Sequence, residues 1–126
     1  MIKDETTPIV IDIAKSFTKL MQGIEPKWNK AFLRFSGQDS VCEVKGSYLH
    51  GADVVMINAL KHKNFFHPIN DKCEELLISL GKKQGVFLFI VNPNLEYEIK
   101  FEYDDLNRWN ISKLDGGLGI PEGIQV

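Results

Sequence analysis

Residues 86–103 constrain the fold more than any other part of this sequence. Val86-Phe87-Leu88-Phe89-Ile90-Val91 is an unbroken apolar run, and Asn92-Pro93-Asn94 is a turn signal. Tyr97, Ile99, Phe101 and Tyr103 then alternate with Glu96, Glu98, Lys100, Glu102 and Asp104. Alternation of that length is a strand with one apolar face, and a short continuous apolar run is a buried strand. A link this short joins antiparallel neighbours, since a parallel crossover needs a dozen or more residues.

The N-terminal part has a different period. Ile9, Ile13, Phe17, Leu20, Met21 and Ile24 form one helical stripe, with Lys15, Ser16 and Lys19 on the other face. Thr7 is the expected N-cap, Pro8 the first helical residue, and Gly23 with Pro26 the stop. After Pro26 the period becomes two. Ala31, Leu33 and Phe35 alternate with Lys30, Phe32, Arg34 and Ser36, a strand with a mostly one-sided apolar face. Residues 36–40 are a turn, and Cys42, Val44, Gly46 and Tyr48 mark a second strand. A third covers Asp53–Asn58, and residues 61–68 read as an aromatic-bearing loop. Asn70 or Asp71 caps a second helix, with Asp71 and Glu74 as a capping box and Cys73, Leu76, Leu77 and Leu80 as its stripe; Gly81 or Gly85 ends it. The expected class is α+β: an antiparallel, meandering sheet of four to five strands with two helices packed on one face, in the order α-β-β-(β)-α-β-β.

At 126 residues the chain is expected to be a single domain, 1–126, in which 116–126 is a loosely held Gly-rich tail. An apolar share of 44% suits a soluble protein with its own core. No apolar run is long enough to span a membrane, and Met1-Ile2-Lys3-Asp4-Glu5 does not resemble a signal peptide. Cys42 and Cys73 stand apart with no Cys-x-x-Cys, so both are expected to be reduced and buried, as in a cytoplasmic protein. A net charge of −2 argues against a nucleic-acid partner.

No catalytic set emerges. His50, His62, His67 and Cys73 match no zinc spacing, and the cysteines fall on apolar faces that disfavour a thiolate. The tail lacks the Gly-Lys-Ser/Thr of a phosphate loop. We therefore expect no catalytic residues, no metal and no cofactor. Charge is more informative. Residues 1–94 carry 12 basic and 10 acidic side chains, net +2, whereas 95–126 carry 3 basic and 7 acidic, net −4. The strand places Glu96, Glu98, Glu102 and Asp104 on one side, and such a cluster can steer a basic partner. Glu98, Glu102, Asp104 and Asp105, with Arg108 and Trp109 beside them, are the candidate partner-binding residues. Trp109 has two readings, an interface anchor or a plug holding the C-terminal segment on the sheet.

The amphipathic helix that ends in Ile24-Glu25-Pro26-Lys27-Trp28-Asn29-Lys30-Ala31 resembles the opening of the YezG-like family of bacterial toxin-immunity proteins. The C-terminal hairpin, with Phe101-Glu102-Tyr103-Asp104-Asp105-Leu106, is similar to the family again, and the likeness covers roughly 9–109. The resemblance implies a cytoplasmic antidote that binds a cognate protein toxin, often a nuclease with a basic active-site surface. It implies no enzymatic activity and no cofactor. The alternatives are a small ligand-binding or enzymatic α+β domain, or a nucleic-acid-binding module.

Overall fold

The computed structural model of the protein describes residues 2–24, 27–39, 41–114 and 117–124. Its elements run α1 (Ile2–Ile24), β1 (Lys30–Gln38), β2 (Val41–His50), β3 (Asp53–Met56), α2 (Lys63–Ser79), β4 (Gln84–Val91) and β5 (Tyr97–Glu102). The strands form one antiparallel sheet in the order β3-β2-β1-β4-β5. This is the expected α+β arrangement. Pro26, Ser40, Asp115, Gly116, Gln125 and Val126, which the sequence places in a helix stop, a turn and the tail, lie outside the described residues.

Both helices begin earlier than their punctuation suggests. α1 includes Thr7 and Pro8 rather than starting there. Thr6 is buried and shares a 2.9 Å hydrogen bond with Ser79 at the end of α2, so a tertiary contact holds the turn around the proline. α2 begins at Lys63, seven or eight residues before the expected cap, and Pro68 lies inside it. The His62 carbonyl accepts from the Phe65 and Phe66 N–H groups, and Phe66 and Ile69 are buried in line with Cys73, Leu76 and Leu77. Burying Phe66 and Ile69 stabilises the fold by roughly 1.5–3 kcal/mol per side chain, comparable with the ~3 kcal/mol penalty of one internal proline. The apolar stripe therefore outweighs Pro68.

The helices cover one sheet face. α2 lies over β1 and β2, and α1 packs against α2 and β4. Ile13, Phe17 and Met21 meet Leu33, Phe35, Phe87 and Phe89 there, all fully buried, with the Phe35 and Phe87 rings 5.3 Å apart.

The other face departs from expectation. β1 is not one-sided: Phe32 is fully buried and Arg34 is 3% exposed. A second core of Phe32, Val86, Leu88 and Ile90 is closed by Trp109, Ile111, Leu106 and Ile120 from the C-terminal segment. Within the expected loose tail, Gly119 donates to the Ser112 carbonyl at 3.0 Å, Glu122 donates to Asn110 at 3.0 Å, and Pro121 is buried. Residues 117–124 are thus attached to the fold rather than loosely held. The physical reason is β4, whose apolar run presents alternate side chains to both faces and needs cover on both.

Candidate functional site

All the candidate residues except Glu98, which lies near the start of β5, gather where β5 turns into the C-terminal segment. β5 pairs with β4 so that Glu98, Lys100 and Glu102 lie opposite Ile90, Leu88 and Val86, on the face of the second core. At the strand end, Glu102 Oε1 accepts from Arg108 Nη1 at 2.6 Å, while Oε2 accepts from the Asp104 and Asp105 N–H groups at 3.0 and 3.3 Å. Asp105 Oδ1 accepts from the Asn107 N–H at 3.0 Å. The Arg108 bond first, and then the two backbone N–H groups, hold the Glu102 carboxyl down to about 2. Glu102 is therefore the pivot of a tight turn as well as an acid.

The other candidates separate by role. Glu98 pairs with Lys100 at 3.1 Å on its own strand. Asp104 is exposed and has no side-chain partner among the described residues, and the same holds for Glu96 at the start of the strand. Charge presented outward is thus concentrated at Glu96, Asp104 and Asp105. Trp109 is 5% exposed, with φ +57, and belongs to the second core; the Arg108 guanidinium sits 4.6 Å from its ring centroid. Of its two readings, the plug describes its position, because an interface anchor needs an accessible ring.

Sequence reasoning missed Arg34. Its Nε donates to the Arg108 carbonyl at 2.9 Å and its Nη2 to the Leu106 carbonyl at 2.7 Å, with Glu43 Oε1 3.9 Å from Nη1. Burial pulls its pKa down from the ordinary guanidinium value, opposed by the charges of Glu43, Asp105 and Glu122. Arg34 thereby fastens the acidic turn to the centre of the sheet. The available signal was a basic residue on the same strand face as Phe32, read as a solvated position.

Depressions mark the surface of the described residues. One of about 1040 Å³ lies between the second half of α1 and residues 60–65 and is lined by Leu20, Ile24, Phe65, Lys19, Lys61 and Lys63. One of about 680 Å³ runs between α1 and the β4–β5 turn, against Ile11, Leu95 and Tyr97. A polar cleft of about 480 Å³ includes Arg34, Cys42, Glu43 and Asn107. Among the described residues no three His, Cys, Asp or Glu side chains converge to hold a metal ion. Both thiols are free: Cys73 is fully buried, whereas Cys42 is half-buried and donates to Glu74 Oε2 at 3.2 Å. Burial, then the Glu74 bond and charge, push the Cys42 thiol up to about 11, and burial raises Cys73 further, so neither is an activated nucleophile at neutral pH. No described helix is long and apolar enough to cross a membrane. No family model matches the sequence, and no curated protein matches it.

Proposed function

We propose that this chain is a bacterial immunity protein that acts in the cytoplasm by binding and neutralising a cognate protein toxin of the nuclease type. The observation that carries this reading is the acidic rim along β5 and the turn after it, where Glu96, Glu98, Glu102, Asp104 and Asp105 fall within ten residues and face solvent or a tight turn. The resemblance of the helix-to-strand step and the Phe-x-Tyr-Asp-Asp-Leu stretch to YezG-like immunity proteins supports it. Enzymes that cleave nucleic acid carry basic substrate sites, and a fixed acidic rim can compete for such a surface. In this reading the protein has no catalytic residue and no cofactor; it acts by occupying the toxin.

The test uses the product of the neighbouring open reading frame as the binding partner. Glu96→Lys and Asp104→Lys combined with Asp105→Asn change the rim charge while keeping the Asp105 acceptor and the Glu102 pivot. Association at low ionic strength should slow by about tenfold or more, with a flatter salt dependence. A neighbouring product that neither binds nor is inhibited refutes the reading. Binding with an unchanged rate and salt dependence refutes the rim as the contact surface.

A second reading, a small ligand-binding α+β domain, draws on the groove of about 1040 Å³ and its three lysines. A small anionic molecule retained in native mass spectrometry of the purified protein would favour it.

A further inference from the structure

The sheet has two edges, and they are not alike. β3 is four residues long, and Gly119 of the C-terminal segment packs close to Val54 on it. β5 is six residues long and pairs only with β4 among the described strands, so its outer row of backbone N–H and C=O groups is open. An open edge of this length is a template for another strand. Its helix-side face is also incompletely covered: Tyr97 is 40% exposed and Phe101 37%, next to half-buried Ile99. The register places these three opposite Val91, Phe87 and Phe89, at the rim of the main core, where Tyr97 borders the depression beside α1.

The charges on the opposite face select among ways of pairing this strand with itself. In an antiparallel pair, directly opposed residues share a face, so only registers centred on a residue keep Tyr97, Ile99 and Phe101 together. Centring on Lys100 sets lysine against lysine and Glu98 against Glu102. Centring on Phe101 sets Glu98 against Asp104 and calls on Glu102, which Arg108 already holds. Centring on Ile99 sets Glu98 against Lys100 of the second copy, twice by symmetry, and Tyr97 against Phe101, also twice; it leaves Glu96 facing Glu102, but Glu96 lies outside β5 and Glu102 is already paired with Arg108. That register alone gives favourable pairs on both faces across residues 97–101.

We propose that the protein forms a two-fold symmetric dimer in which the β5 edges of two copies pair antiparallel about Ile99, joining two five-stranded sheets into one. The symmetry closes the contact, so both open edges are used and no fibre propagates. Glu96, Asp104 and Asp105 lie outside the paired residues. The dimer does not rest on the toxin reading, and its test contains only this chain.

Sedimentation equilibrium of the full chain over a range of concentrations should show a reversible monomer–dimer equilibrium. Lys100→Glu alone, or Glu98→Lys alone, replaces two attractive cross-strand pairs by two repulsive ones and should weaken the dimer about tenfold. An equimolar mixture of the two variants restores both attractive pairs and should form a heterodimer about as tight as the wild-type dimer. Folding of each variant is read independently by circular dichroism, and recovery in the mixture requires that both are folded. A wild-type chain that stays monomeric overturns the proposal. So does a dimer indifferent to either charge reversal, or a mixture that fails to recover association.

Discussion

Arg34→Met should loosen the C-terminal segment specifically. The substitution keeps much of the apolar stem but deletes the two donors at 2.9 and 2.7 Å to the carbonyls of Arg108 and Leu106. Hydrogen bonds from a charged donor are worth roughly 1.5–3 kcal/mol each, so the gross loss is about 3–6 kcal/mol. Two effects reduce it: methionine removes the desolvation cost that burial imposes on the guanidinium, and the freed carbonyls can turn toward water if the segment lifts. A net destabilisation of about 2–4 kcal/mol follows, a large share of the ~5–15 kcal/mol that holds a typical domain together. The Glu43 pair should contribute little, because at 3.9 Å and with Glu43 57% exposed it is a surface interaction; Glu43→Gln should cost less than about 0.5 kcal/mol. Urea unfolding measures the total, and hydrogen exchange locates it. Protection should fall over residues 106–114 and 117–124 by more than it falls over α2. A cost below about 0.5 kcal/mol, or protection lost evenly across the molecule, would refute the clamp.

Other consequences can be checked directly. Ser47 is fully buried and its hydroxyl has no hydrogen-bond partner among the described residues, so Ser47→Ala should raise stability by about 1 kcal/mol in urea unfolding; a loss of that size contradicts it. Because Glu102 is held down to about 2 in the fold, its stabilising effect is present above the unfolded carboxylate range and disappears as pH falls from about 4.5 toward 2. The stability difference between wild type and Glu102→Gln should therefore be largest near neutrality and shrink in acid, and a difference independent of pH would exclude the Arg108 and backbone partners as its source. Thiol alkylation of native protein at pH 8 should be slow at Cys42, accelerate toward pH 11, and reach Cys73 only on unfolding; fast labelling of either near neutrality would contradict the burial described. Gly119 sits at φ +84 with Val54 about 3.0 Å from where a Cβ would stand, so Gly119→Ala should cost about 1–3 kcal/mol and lower protection in the C-terminal segment first.

Patterns of period two and 3.6 were sufficient for the element types and their order. The hairpin of β4 and β5, the stripe from Ile13 to Met21 and the Cys73–Leu77 stripe were legible because each repeats one local geometry over several residues. Helix starts were not. Pro8 locally marks a helix start and Pro68 a helix break, but Thr6 meeting Ser79 and Phe66 entering the core are contacts between residues distant in sequence. The acidic candidates were legible as a run, yet their individual roles depend on distances. Glu102 is a pivot because Arg108 stands 2.6 Å away, and Asp104 remains outward because its side chain has no described partner.

An antiparallel α+β domain with an acidic final strand is written locally in the chain, because alternation and apolar stripes dictate which face of each element avoids water. The cover over the second sheet face, the buried Arg34 clamp and the place of Trp109 in the core emerge from long-range packing. Those outcomes turn on a segment without periodicity, Leu106 to Ile124, finding the apolar residues of β1 and β4 across more than seventy and about twenty positions respectively. Aperiodic chain carries no local signal of its destination. Its place is set by which exposed apolar surface remains when the strands have paired, and that surface exists only in the assembled sheet.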